Sequence, residues 1–336
     1  LTVLLGGLAT GQGFALGPQY LRTDLAGGKV HFRTSARYAF SQAYLADAVV
    51  SLPGFGKGER FFADIGATHY NYPTIDFFGI GPDSNEGDET DFRMEQSTFE
   101  GSFGSHLMKN LRIGTTLGAV LVNTGPGTLE GDDRRIEDVF SPAQVSGIVD
   151  QTNFIKTGVF AEFDYRDNPL GARSGGDYIA RFDYFDDTDL NMHTYRRLHL
   201  EAKQYFPFFN KRRVIALRAR TIMSFTNGSS SVPFYMMDIL GGSEDLRGFS
   251  NYRFYDANQI IVNAEYRWES FTGLDMALFF DAGKVAPKPS QINFHDLEAS
   301  VGVGFRFNIK NATFLRIDTG FSNEGYTVWL KFGNPF

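Results

Sequence analysis

The chain has no cysteine, so neither a disulfide framework nor a thiolate metal site holds it together. That absence suits a protein that passes through an oxidising compartment. No run of apolar residues approaches the roughly 18 that a membrane-crossing helix needs. A helical membrane protein is thereby excluded. A β-barrel is not, because its strands alternate lipid-facing and lumen-facing side chains and the average stays polar. There is no basic run, and 32 Lys and Arg stand against 39 Asp and Glu. The net charge of -7 argues against a nucleic-acid partner, which favours a basic face. Trp occurs only twice, against 34 Phe and 15 Tyr. The chain starts at Leu1 with no charged leader, which reads as a mature or trimmed product. Neither a linker nor a repeat longer than a hairpin shows, so residues 1–336 read as one domain.

What the sequence does have is alternation with a period of two, which puts successive side chains on opposite faces of a strand. Val301, Val303, Phe305, Phe307 and Ile309 share one face, and Ser300, Gly302, Gly304, Arg306 and Asn308 the other. Leu315, Ile317 and Phe321 oppose Arg316, Asp318 and Gly320. Leu274, Met276, Leu278 and Phe280 oppose Asp275, Ala277, Asp281 and Gly283. In the last strand Val328, Leu330, Phe332 and Phe336 oppose Thr327, Trp329, Lys331 and Gly333. A soluble sandwich also alternates, so the composition of the second face decides. That face carries charge in strand after strand: Arg218 and Arg220; His199, Glu201 and Lys203; Asn263, Glu265 and Arg267. An apolar outside with a charged inside is what a lipid-embedded barrel with a wet lumen requires.

Connections alternate in length. Short ones fall near Asp24–Gly28, Pro53–Gly58, Met108–Asn110, Phe206–Lys211, Ser270–Gly273 and Lys310–Ala312. Long ones fall near Pro73–Asp91, Gly125–Thr152, Thr226–Arg253 and Ala286–His295. Short periplasmic turns and long extracellular loops are the expected asymmetry of outer-membrane barrels. The count gives sixteen strands at roughly 21 residues per strand and connection, which suits spanning strands of about ten residues.

Four segments carry a resemblance. Leu240 to Phe249 reads LGGSEDLRGF in the connection between the eleventh and twelfth strands. FFDAG holds Phe279, Asp281 and Gly283, and SVGVGFRF follows in the next strand. RDNPLGARSG runs from Arg166 to Gly175. In this order and spacing they resemble the BamA/TamA superfamily of outer-membrane assembly and secretion barrels (the bacterial surface antigen family). The likeness is clear from Phe154 to Phe336. It implies that the sixth loop folds into the lumen with Arg247, Gly248 and Phe249 at its tip, and that RDNPLGARSG is the turn between strands eight and nine. It also implies a role in inserting or translocating proteins at the bacterial outer membrane, through a gate between the first and last strands. Members usually carry periplasmic POTRA domains, and none is recognisable in this sequence.

Elementary chemistry gives the motif a reason. A guanidinium inside a lumen needs anionic partners with good geometry, or its burial is costly. Asp281 and Glu265 have the inward phase on neighbouring strands, so both can meet one planar fork. Gly248 allows a tight approach to the wall, and Gly283, Gly302 and Gly304 leave room there. The contact serves equally well as a staple for the loop or as part of transport. Tyr326, Val328, Leu330, Phe332 and Phe336 make an alternating aromatic end of the kind that acts as a sorting signal, with strand pairing expected to stop by Gly333 because Pro335 cannot donate to a ladder.

Other signals carry less. The six His are scattered without metal-ligand spacing. Asp83 to Asp91 and the group Asp186, Asp187 and Asp189 break calcium-loop spacing and read as solvated loop. There is no Gly-x-Ser-x-Gly elbow, and Ser243 reads as loop. Phe61, Phe62, Tyr70, Tyr72, Phe77 and Phe78 suit interfacial girdles as well as plain strand propensity. The reading is therefore an all-β, sixteen-stranded antiparallel transmembrane barrel with the long sixth extracellular loop in its lumen. No catalytic residue, cofactor or metal is expected. Expected partners are outer-membrane lipids, lipopolysaccharide, client outer-membrane or secreted proteins and an envelope complex. Two alternatives stand beside it: a passive channel or structural subunit, and the anchor of a catalytic domain such as a lipase.

Overall fold

The computed structural model describes residues 1–6, 8–127, 134–309 and 312–336. Eleven strands come first: β1 (Thr2–Leu5), β2 (Ala15–Leu25), β3 (Val30–Ala39), β4 (Tyr44–Phe55), β5 (Phe61–Phe77), β6 (Thr90–Met108), β7 (Leu111–Pro126), β8 (Phe154–Asp164), β9 (Gly175–Asp187), β10 (Tyr195–Phe208) and β11 (Arg213–Thr226). A small hairpin, β12 (Asp238–Leu240) and β13 (Phe254–Asp256), interrupts them. Then come β14 (Asn258–Phe271), β15 (Leu274–Ala286), β16 (Glu298–Ile309), β17 (Ala312–Ser322) and β18 (Gly325–Phe332). Leaving out the β12–β13 hairpin, sixteen strands pair antiparallel with their chain neighbours in one sheet that curls into a barrel. Neighbour-to-neighbour pairing needs only short turns, which is why hydrophobic alternation alone was enough to count the strands.

Several strands run further than the expected ten residues. The β5–β6 ladder continues to Phe77 opposite Thr90. There Phe77 and Phe92 enter an apolar cluster with Phe154, Phe185, Tyr195, Phe234 and Tyr255, formed by strand ends and loops at the extracellular mouth. Burial of these rings rewards continued pairing beyond the lipid. Pro73 and Pro53 were read as strand ends. Both lie inside strands, at register shifts between Tyr72 and Ile75 and between Leu52 and Phe55. A bulge takes the proline out of the ladder, so its missing N–H costs nothing. The turn placed at Lys310–Ala312 lies largely outside the described residues, as do residues 128–133 of the connection at Gly125–Thr152.

The outward row is apolar and exposed: Leu278, Phe280, Val301, Val303, Val328 and Leu330 are each between 43% and 61% accessible. Such a belt is stable only in lipid. The barrel has one unsealed seam. β18 pairs with β17, but among the described residues no ladder joins it to β1. Phe332 lies 5.7 Å from Phe14, ring to ring, and beside it opens a cavity of about 530 Å³ reaching Asn251, Trp329 and Lys331.

Candidate functional site

Residues 227–257 form loop six, between β11 and β14. The hairpin β12–β13 closes its base by pairing Leu240 with Phe254. Leu240, Leu246, Phe249 and Phe254 then pack on Ile261 and Val285 of the wall. Phe249, 1% exposed, is thus an apolar anchor that sets the tip against β14 and β15. Burial raises the carboxyl of Asp256, at the hairpin's end, to about 6, against the lowering effect of the hydrogen bond from the Ala257 amide.

The tip places Arg247 between two acids. Its Nε donates to Asp281 Oδ2 at 2.7 Å and its Nη2 to Asp281 Oδ1 at 2.6 Å, the two-pronged geometry of a fork on a carboxylate. Nη1 donates to Glu265 Oε1. The backbone N–H adds a bond to Asp281 at 3.2 Å. Below lies Phe279, whose ring centre is 3.5 Å from the guanidinium carbon. Burial alone would pull the Arg247 proton off more easily. Asp281 and Glu265 outweigh that and hold the guanidinium above its ordinary range.

The pair belongs to a larger cluster that the sequence reading missed. Glu265 also accepts from Arg306 at 3.0 Å and from Arg267 at 2.5 Å. Asp318 accepts from Arg306 and, at 3.1 Å, from Arg316. Arg316 reaches the loop at Glu244 and at the Ser243 carbonyl, 2.9 Å away. Four guanidinia (Arg247, Arg267, Arg306, Arg316) thus face four carboxylates (Glu244, Glu265, Asp281, Asp318), and the charge cancels. Alternation placed Arg306, Arg316 and Asp318 on the inner face. What it did not show is that Arg306 and Arg316 are register partners, an arrangement that demands an intervening acid.

The backbone of the tip holds the last hairpin. The Arg247 carbonyl accepts from Trp329 Nε1 at 2.8 Å and from the Thr327 hydroxyl. The Gly248 carbonyl accepts from the Ser322 hydroxyl at 2.8 Å. Arg253, further along the loop, pairs with Glu324 at 2.7 Å in the turn between β17 and β18. The strand at the open seam is therefore tied to loop six on its lumenal side.

The glycines divide. A Cβ on Gly248 would meet Ser300 Cβ at 2.6 Å, so this residue does permit the close approach. Gly283 faces Leu240 of the loop. Gly302 and Gly304 do not make room for the loop itself. The first accommodates the Phe279 ring, and the second the Arg306–Asp318 pair. The wall residue that admits the loop backbone is Gly320, against the Arg247 carbonyl.

Tyr326, Val328 and Leu330 are exposed on the outer face. Phe336 is not with them. β18 stops at Phe332, Gly333 takes a φ of 82°, and Phe336 turns into the lumen. There it packs on Ala172, Tyr205, Val214 and Ala216, with Arg267 at 5.3 Å and Arg218 at 6.0 Å from its ring. Alternation cannot be extended past a left-handed glycine. Deleting Phe336 is expected to lower membrane insertion and leave periplasmic aggregates in a fractionation assay; normal insertion would count against a sorting role. The acid Asp187, considered earlier as loop, is taken up by the amides of Asp189, Leu190, Met192 and His193.

Against known proteins, the Omp85 superfamily domain matches residues 17–327. Among solved structures, BamA from Haemophilus ducreyi lacking POTRA domains 1–3 superposes with a TM-score of 0.71 at 12% identity, covering 98% of this chain and 67% of that one. CdiB from Escherichia coli gives 0.63 at 13% identity, covering 98% and 59%. CdiB from Acinetobacter baumannii gives 0.58 at 11%, covering 94% and 56%. The chain therefore spans less than two thirds of the length of either CdiB chain. No curated protein matches the sequence. With a family match across most of its length and a barrel of the same architecture, the chain belongs to the Omp85 superfamily and is a barrel of the bacterial outer membrane.

Proposed function

We propose that the barrel inserts or translocates other proteins at the outer membrane, with the seam between β1 and β18 as a lateral gate. The observation that carries the reading is the asymmetry of β18. One edge pairs with β17 along its length, and the other has no ladder among the described residues. Unpaired backbone in lipid is expensive, so an open edge in a membrane barrel calls for a use. Its N–H and C=O groups can pair with an extended segment of a client chain. No covalent chemistry is needed. A passive channel fits less well, because loop six is bound inside the lumen through buried charge.

A crosslink tests the gate. A Cβ on Gly6 would lie 3.7 Å from Phe332 Cβ, within disulfide span. With no native cysteine, Gly6→Cys with Phe332→Cys creates one defined pair. The positive φ at Gly6 costs about 1–2 kcal/mol for a residue with a side chain, which the rest of the barrel can absorb. Oxidation should stop insertion of a client barrel into proteoliposomes, and reductant should restore it. Undiminished insertion with the seam locked would remove the gate from the mechanism.

A further inference from the structure

The outer face of the wall has a depression that neither the loop-six cluster nor the seam uses. It lies in the extracellular half, where β10, β11 and β14 run side by side. Ala202, Ala219 and Val262 are register partners across the three strands and form its floor. Leu200, Thr221 and Ile260 form the next row. The connection 287–297 folds over the outside of the barrel, and its turn Pro289–Gln291 lies against β11. Phe294 from this connection walls the depression while remaining 70% exposed. The volume is about 340 Å³, in the range of small-ligand clefts.

A cation stands at its edge. Lys284 is the register partner of Ile260 and shares the outward phase of Leu278 and Phe280. Its Nζ donates to Asn293 Oδ1 at 2.8 Å and to the His295 carbonyl at 3.0 Å. Both acceptors are neutral. Among the described residues no carboxylate comes within ion-pair distance of Lys284. Two of its three ammonium protons are thus fixed, and among the described residues nothing takes the third or answers its charge. A lone fixed cation beside an apolar cleft, on a surface bathed in acyl chains, is complementary to an anionic headgroup carrying such a chain.

We propose that this cleft binds one phosphorylated acyl lipid of the outer leaflet, the lipid A anchor of lipopolysaccharide. An acyl chain lies on Ala202, Ala219 and Val262 under Phe294, and a phosphate sits on Lys284. Each buried methylene contributes affinity, and the ammonium sets the choice of headgroup.

Native mass spectrometry of the intact barrel in neutral detergent tests this with lipid A, dephosphorylated lipid A and phosphatidylethanolamine as probes. The wild type should retain one lipid A. Removing the phosphates, or making Lys284→Gln, should weaken retention about fivefold, and Lys284→Arg should keep it. Ala219→Trp fills the cleft and should abolish retention; Phe294→Ala opens it without touching a strand and should weaken retention. Heat-modifiable migration on gels reports that each variant is folded. Retention unchanged in Ala219→Trp and Phe294→Ala, or no preference for the phosphorylated lipid, would overturn the site, as would several equivalent lipids per barrel or a protein segment protected on this face instead. The gate is untouched by these variants, so the crosslinking result stands or falls separately.

Discussion

Replacing Arg247 with alanine should release loop six while the barrel stays folded. The substitution removes one of four guanidinia from a cluster whose charges cancel, leaving one uncompensated negative charge. The damage concentrates on Asp281, which among the described residues keeps only Asn263 as a side-chain donor, at 2.8 Å. Glu265 still has Arg267 and Arg306. Breaking a buried ion pair by removing one partner costs on the order of 3–5 kcal/mol, less where lumenal water reaches the orphan. That energy is charged to the docked loop. Strand pairing does not pass through Arg247, so the ladder persists. Hydrogen exchange should therefore rise across residues 227–257 and also in β18, whose Trp329 and Thr327 bond the Arg247 carbonyl. Arg247→Lys should rescue only part, because an ammonium cannot make the fork. Combining Arg247→Asp with Asp281→Arg should restore some loop order. Exchange confined to background in Arg247→Ala would show that Phe249 and the hairpin hold the loop unaided.

How far the sequence revealed this site depends on what a period of two can say. It assigns each side chain a face, so Glu265 and Asp281 were legible as inward and adjacent, and the Leu-Arg-Gly-Phe tip as their partner. It assigns no height in the barrel. Register supplies height, and register is set by bulges and turns, here a shift between Phe307 and Asn308 in the β16–β17 ladder that alternation does not reveal. Arg306, Arg316 and Asp318 were therefore known to face inward without being known to meet. Trp329 looked like an aromatic on the wrong face. Its indole N–H needed a buried acceptor, and the only feature that could have suggested one was the loop itself. Phe336 was misplaced for a related reason, since one left-handed glycine ends the alternation before the chain ends.

Deleting Gly241 to Ser250 should convert a small, fluctuating conductance in planar bilayers into larger and steadier openings. A sixteen-stranded wall encloses a water-wide lumen unless something fills it. Here the filling includes Leu246 and Phe249, at 0% and 1% exposure, with the acids Glu244 and Asp245 paired to the wall beside them. Asp245 bridges Arg218 at 3.1 Å and Arg220 at 2.7 Å on β11, while Glu244 and Arg247 engage β14 to β17. The tip is thus a brace against one continuous arc of the wall, β11 through β17, as well as a plug. Its removal takes away the Arg247 carbonyl that holds β18 and the Gly248 carbonyl that holds the end of β17, so the seam should loosen as the lumen empties. Two measurements separate these effects. Conductance reports the lumen, and the rate of disulfide formation between Gly6→Cys and Phe332→Cys reports the seam. A faster, more heterogeneous crosslink in the deleted chain is expected, because β18 then samples more positions. If conductance rises while crosslinking is unaltered, the loop is a plug alone and the strand at the seam is positioned by β17. If the intact protein already shows large steady openings, loop six leaves the lumen in the membrane, and the passive channel becomes the better account of this barrel.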